Sequence, residues 1–170
     1  LFRSLLLIKT IEIIMDKTDI QILNLLQKNA DLTIQDISKS VYLSTTPCWK
    51  RINKLKSMGF IQKTVAILDP KKTNLNTIAF VFVTIESHDQ EKLALFSRVV
   101  ERMPEIVECH RMSGTIDYLL KVIIKDIESY DLFYKKLINK VSFLKVTSNF
   151  VLEKIKQTSE IPIMGSIDIT

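Results

Sequence analysis

A chain of 170 residues with 46% apolar side chains, three glycines and four prolines has the make-up of a folded protein of one or two small domains, which excludes a linker, a disordered arm or a fibre. Its net charge of +5 and pI near 9.1 favour an anionic partner such as nucleic acid without identifying it. Two cysteines in different halves provide neither a disulfide framework nor metal-ligand spacing. Cys48 and Cys109 are therefore read as small core residues in a reducing compartment.

Residues 1–14 are apolar but interrupted by Arg3, Lys9 and Glu12, too short and too charged to span a bilayer, and no small-residue cleavage site follows. Met15 stands directly before a helix-start signal. The expectation is that Met15 is the natural start and that 1–14 is an upstream extension arising as a translation artefact. The competing expectation is an added helix that packs on the core or on a partner subunit.

Asp16 to Lys28 reads as a helix with Ile20, Ile22, Leu23, Leu25 and Leu26 on a broad apolar face, ended by Asn29-Ala30-Asp31. Thr33, with Asp36 three residues on, has the pattern of a capping box. Val41-Tyr42-Leu43 then makes a tight turn, and Ser44 is expected to cap a further helix with Pro47 in its first turn, where a missing N–H breaks no bond. Cys48, Ile52 and Leu55 form the buried stripe of that helix, leaving Thr45, Thr46, Trp49, Lys50, Asn53, Lys54 and Lys56 on its outer faces. From Ile37 to Leu68 there is no acidic residue, while Lys39, Lys50, Arg51, Lys54, Lys56 and Lys63 are all positive. A solvated surface helix usually mixes signs; a one-sign run on a capped helix rich in hydroxyls suits the major groove of DNA better than water alone. Gly59 is a helix stop, and the alternating, β-branched run Phe60 to Leu68 is expected to form a short hairpin, the wing of a winged helix-turn-helix.

The second half is nearly neutral, with twelve basic and eleven acidic side chains over 77–157 against eight and four over 16–68. It alternates strand and helix: a strand over 78–85 buried on both faces, a helix over 89–103 stopped at Pro104, strands over 106–112 and 116–124 about a Ser113-Gly114-Thr115 turn, a helix over 127–141, and a strand over 144–155. This βαββαβ order is the ferredoxin-like arrangement, an antiparallel sheet with both helices on one face. Phe80, Phe82, Tyr118 and Phe150 are expected on the open face, with a second subunit as its cover. The fold class is thus α+β, with boundaries at 15–70 for the winged helix-turn-helix, 71–76 for a linker, 77–160 for the ferredoxin-like domain and 161–170 for a tail.

The segments Asp19-Ile20-Gln21-Ile22-Leu23, Leu43 to Ile52, Gly59-Phe60-Ile61, Leu68-Asp69-Pro70, Pro104-Glu105-Ile106-Val107 and Gly114 to Leu120, in this order, resemble the leucine-responsive regulatory protein/AsnC (Lrp/AsnC) family of bacterial and archaeal transcription regulators. The likeness runs from about residue 16 to Pro162. It implies a cytoplasmic, nucleoid-associated regulator that binds double-stranded DNA. It further implies homodimers pairing sheet to sheet through the second (RAM) domain, assembling to tetramers or octamers, and a small amino acid effector at subunit contacts, with no other cofactor, no metal and no membrane. Two departures stand out: Tyr42 occupies a turn position where the family usually has Gly, and Thr115 replaces an acid in the following turn.

On DNA, Thr45, Thr46 and Trp49 are expected at base edges or thymine methyls, with Lys50 and Asn53 next, and Ser44, Arg51, Lys54 and Lys56 on phosphates; for Trp49 the competing role is packing between helices. For the effector the candidates are Ser113, Gly114, Thr115, Asp117 and Tyr118, with Thr147 and Ser148. A Gly turn lets backbone amides approach a carboxylate and Asp117 is suited to an α-ammonium; the competing role is an ordinary hairpin in which Asp117 serves the turn. An enzyme is not expected, since His88 and His110 lie in separate elements without an acid or nucleophile partner. The alternative within DNA binding is an effector-independent architectural protein that wraps DNA as a multimer.

Overall fold

The computed structural model describes residues 15–86 and 89–163; the expectations for residues 1–14 and for His88 lie outside them. The described residues divide into two compact units, one of residues 15–66 together with 156–163, the other within 67–155. Residues 156–163 thus belong with the first unit.

In the first unit, α1 (Lys17–Lys28), α2 (Ile34–Ser40) and α3 (Thr45–Ser57) enclose a core of Ile22, Leu23, Ile37, Val41, Cys48, Ile52 and Leu55. Two of these helices start with reciprocal capping boxes, Asp16 with Asp19 and Thr33 with Asp36, each side chain accepting from the other residue's backbone N–H. The Asp36 carboxyl is held below its usual range, first by the Thr33 hydroxyl and then by the Thr33 N–H. Ser44 occupies the N-cap of α3, but its hydroxyl makes no capping hydrogen bond, contrary to expectation. The start of α3 is left with its first N–H groups without a side-chain acceptor from the cap.

α2 and α3 end in the same motif. Leu43 N–H donates to Ser38 C=O (2.9 Å) and Tyr42 N–H to Lys39 C=O (3.3 Å); likewise Phe60 N–H donates to Leu55 C=O and Gly59 N–H to Lys56 C=O (both 3.0 Å). These are Schellman pairs, which require a left-handed residue at the position after the cap. Gly59 fills it at φ 79° without penalty, whereas Tyr42 sits there at φ 55° with its side chain 93% exposed. The departure noted in the sequence is thus accommodated at a backbone cost on the order of 1 kcal/mol that no burial of the ring offsets.

No strand forms over residues 62–69, so the hairpin expected over Phe60 to Leu68 is not seen among the described residues, and Val65, Ile67 and Leu68 are exposed. Between Phe60 and Leu68 no Gly, Asn, Asp or Pro stands where a two-residue reversal favours one.

In the second unit β1 (Thr77–Ile85), β2 (Ile106–Arg111), β3 (Tyr118–Ile124) and β4 (Phe143–Phe150) form one antiparallel sheet in the order β2-β3-β1-β4, and α4 (Gln90–Glu101) and α5 (Ile127–Ile138) cover one face. The core joins Ala79, Val81, Val83, Leu120 and Val122 of the central strands to Phe96, Val99, Phe133 and Leu137 of the helices. β1 is not buried on both faces: its residues alternate, with Phe80, Phe82 and Thr84 half-buried on the open side. Tyr118 and Phe150 turn the other way from expectation. Tyr118 packs against Phe96 with the rings tilted (centroids 4.4 Å apart) and Phe150 meets Tyr130 edge-on at 5.0 Å, so both lie on the helix side. The period of two explains it, since Tyr118 shares a face with Leu120, and Phe150 pairs with Ala79. β4 ends at Phe150, five residues short of the expected limit. Cys48 is fully buried as expected, but Cys109 lies exposed on the edge strand β2 and is no core residue.

Candidate nucleic-acid interface

α3 presents its stripe of Cys48, Ile52 and Leu55 to the core, and everything else follows from the 3.6-residue period. Ser44, Thr45, Thr46, Trp49, Lys50, Lys54 and Lys56 are exposed, and Asn53 is half-buried. Trp49 is 55% exposed, so its indole is not consumed by packing between helices. These side chains run from the N-cap into the fourth turn of one helix whose N-terminal dipole end also faces outward, an arrangement suited to anionic oxygens.

Arg51 is set apart from them. One guanidinium nitrogen donates to Asp16 Oδ2 at 2.6 Å and to Asp19 Oδ1 at 2.7 Å, tying α3 to the start of α1. Asp19 is 4% exposed, and its second oxygen accepts from Asp16 N–H (3.3 Å) while Asp16 Oδ1 accepts from Asp19 N–H (2.9 Å). Burial acts to raise the Asp16 carboxyl, but the Asp19 N–H and the Arg51 guanidinium outweigh it and hold the group below its ordinary value. The two carboxylates push the Arg51 guanidinium up in turn, Asp19 more than Asp16. Expected among phosphate contacts, Arg51 is here an internal strut. The missed signal is Asp19, an acid in line with Ile22 and Leu23 on the apolar face of α1, where a buried charge needs a cation.

The effector candidates are not brought together as one site. Ser113, Gly114 and Thr115 form an exposed turn with Gly114 at φ 127°. Asp117 Oδ2 accepts from Ile85 N–H at 2.8 Å, and Asp117 N–H donates to Val83 C=O at 2.9 Å, so the residue anchors the turn to the end of β1. Tyr118 lies on the helix side, where Ser148 also lies, its hydroxyl bonded to that of Tyr130. Burial pushes the Tyr130 phenol up against the opposing pull of Ser148. Thr147 faces the opposite side of the sheet. A cavity of about 210 Å³ in this unit, lined among others by Ile85, Lys92, Leu95, Asn139 and Lys140, contains none of the candidates. No described helix is long and apolar enough to cross a membrane.

Three close-packed helices with an exposed, cationic third helix define a DNA-binding protein of the helix-turn-helix class, and residues 15–62 match the winged helix-turn-helix DNA-binding family. Residues 78–161 match the Lrp/AsnC ligand binding domain. The chain is 43% identical over 150 residues to the DNA-binding transcriptional activator DecR of Escherichia coli (strain K12), covering 88% of this chain and 99% of that protein. It superposes on the crystal structure of an AsnC family transcriptional regulator from Agrobacterium tumefaciens with a TM-score of 0.84 at 48% identity, covering 87% of this chain and 97% of that one. A transcriptional regulator from Neisseria meningitidis, solved as its L-Met complex, matches with the same TM-score at 34% identity over 87% and 96% of the two chains. The chain belongs to the Lrp/AsnC family of transcriptional regulators, a family of DNA-binding proteins rather than enzymes.

Removing Arg51 strands the buried Asp19 carboxylate, so Arg51→Ala is expected to destabilise the first unit by about 2 kcal/mol, read as a lowered urea midpoint. Because the Asp16 carboxyl is depressed in the folded state, the stability it contributes is present above its unfolded pKa and is lost as pH falls below about 4. Arg51→Ala should flatten that acid limb; an unchanged midpoint and an unchanged acid limb would show the strut to be without weight.

Proposed function

We propose that α3 reads DNA with Thr45, Thr46 and Trp49 at base edges or thymine methyls and Lys50 and Asn53 beside them, while Ser44, Lys54 and Lys56 hold phosphates. The observation that carries this is the division of labour on α3: Arg51 is the cation engaged by the exposed Asp16 and the buried Asp19, whereas Lys50, Lys54 and Lys56 project from the exposed faces. The uncapped start of α3 supports an approach to phosphate, since an anion there would replace the missing cap acceptor. Arg51 leaves the phosphate set and acts by fixing the angle of the helix.

The open face of the sheet supports a homodimer. Across it run Leu119, Phe82 and Thr147 in one row and Lys121, Phe80 and Asn149 in the next, an apolar centre flanked by polar groups. At its edge Glu108 joins Lys121 (2.5 Å) and His110 (3.2 Å), which hold its carboxyl below the usual range, Lys121 first. Such a dimer, or tetramers and octamers built from it, would carry paired recognition helices to half-sites separated by whole helical turns, in the cytoplasm at the nucleoid.

For the effector we propose a small amino acid, on the family match of residues 78–161 and the L-Met complex of the Neisseria relative. Ser113, Gly114 and Thr115 remain the candidates for its carboxylate at a subunit contact. Asp117, spent on Ile85, and Tyr118 and Ser148, spent on the helix side, would shape the turn from behind rather than touch the ligand. Thr147 would reach it only from the open face.

Lys50→Ala with Lys54→Ala is expected to weaken DNA binding and to reduce the slope of log affinity against log salt by about 1–2, measured by mobility shift over a salt series; undiminished binding by a folded double variant contradicts the assignment. A thermal-shift screen of the twenty amino acids is expected to single out one or a few, since a ligand at a hundred times its Kd adds about 2.7 kcal/mol. No shift with any of them favours an architectural protein that wraps DNA without an effector.

A further inference from the structure

The chain passes between its two units twice, after residue 66 and again after residue 155. After the second crossing, residues 156–163 lie on the first unit without regular secondary structure and with almost every side chain exposed. What holds them is specific. Gln27, in the last turn of α1, grips the backbone of Ile161 at both ends: its Oε1 accepts from Ile161 N–H at 3.0 Å, and its Nε2 donates to Ile161 C=O at 3.1 Å. A side-chain amide paired in this way reproduces the hydrogen bonding of one β-bridge and recognises main chain whatever the side chain. The remaining Nε2 proton goes to Asn24 Oδ1 at 2.9 Å, one turn back on the same helix face, so the amide can point only one way. Beyond the grip, Ile163 packs against the core of Ile22, Leu23 and their neighbours. Before it, Glu160 N–H donates to Thr158 Oγ1 at 3.0 Å and shapes the approach.

We infer that residues 156–163 are a latch that closes on α1 through Gln27, and that this second hold on the DNA-binding unit lets events in the sheet domain reach it. The latch is well placed to open and close. The two hydrogen bonds to Gln27 are solvent-accessible and Ile163 is only half-buried, which places the latch among the low-stability parts of the fold that open locally. It leaves β4 by only a few residues, so a rearrangement at the end of that strand is transmitted along a short chain. The functional half of the inference rests on the dimeric DNA-binding reading above: a loosened unit lowers the effective concentration of the second recognition helix at a paired site.

Hydrogen exchange on the full chain reads the latch directly. In the wild type the Ile161 amide is expected to exchange about ten- to a hundred-fold below its intrinsic rate, and Gln27→Ala to bring it within about three-fold of that rate, with the amides of α1 from Leu23 to Leu26 unchanged as a control for folding. Gln27→Glu, which keeps the acceptor for Ile161 N–H but loses the donor, should fall between. Gln27→Ala should also weaken binding to a genomic duplex carrying two half-sites about five-fold while leaving a single half-site unaffected. An Ile161 amide exchanging at its intrinsic rate in the wild type overturns the latch, and loss of protection with unchanged two-site affinity overturns its role. Failure of the wild type to bind any duplex would instead defeat the DNA-binding reading, and the exchange measurement would still decide the latch.

Discussion

The ion pair between Arg51 and the carboxylates of Asp16 and Asp19 is the constraint on which the DNA-binding unit turns. A helix meant for a groove must be rigidly set while keeping its own cations free, and the three-helix core is small. Hydrophobic packing through Cys48, Ile52 and Leu55 fixes the face of α3 that turns inward, but contacts of this kind tolerate sliding and rolling. A guanidinium shared by two carboxylates that also cap α1 defines the crossing of the two helices at one point. One cation is spent inside so that Lys50, Lys54 and Lys56 are held outside in a fixed relation.

The turns at either end of this arrangement show how far the fold goes to keep it. Both Tyr42 and Gly59 complete Schellman motifs, and only Gly59 does so without strain. That a bulky, fully exposed ring is tolerated between α2 and α3 means the surrounding capping boxes and core over-determine the turn. In the second unit Asp117 does comparable service: by accepting from Ile85 N–H it fixes the β2–β3 turn to the end of the central strand, so that Gly114 and its neighbours project from a stiff base.

Much of this was legible from the residues alone. The three helices, their Thr33 and Gly59 boundaries, the buried stripe of α3 and the βαββαβ order all follow from local periodicity and capping chemistry, which depend on neighbours in sequence. What local pattern does not carry is what depends on distant partners or on strand alternation. The direction of Arg51 depended on Asp19, thirty-two residues earlier. Hydrophobicity alone points Tyr118 and Phe150 to the open face, whereas the period of two sends them to the helices. The β-branched run over 60–68 suggests a hairpin, but it holds no Gly, Asn, Asp or Pro to favour a tight turn and carries no strand over 62–69. The grip of Gln27 on Ile161 spans 134 positions and uses a backbone, so no pattern of side chains announces it.

The central claim, that α3 enters the DNA, can be read at one residue. Trp49 is the chain's single tryptophan and stands half-exposed on the second turn of α3. Titrating the wild-type protein with a duplex it binds should quench the indole emission and shift it to the blue, saturating with the same dissociation constant as a mobility-shift assay and weakening with salt in parallel. Binding detected by mobility shift with Trp49 emission unmoved throughout would contradict the account, because the partner would then be held by another surface.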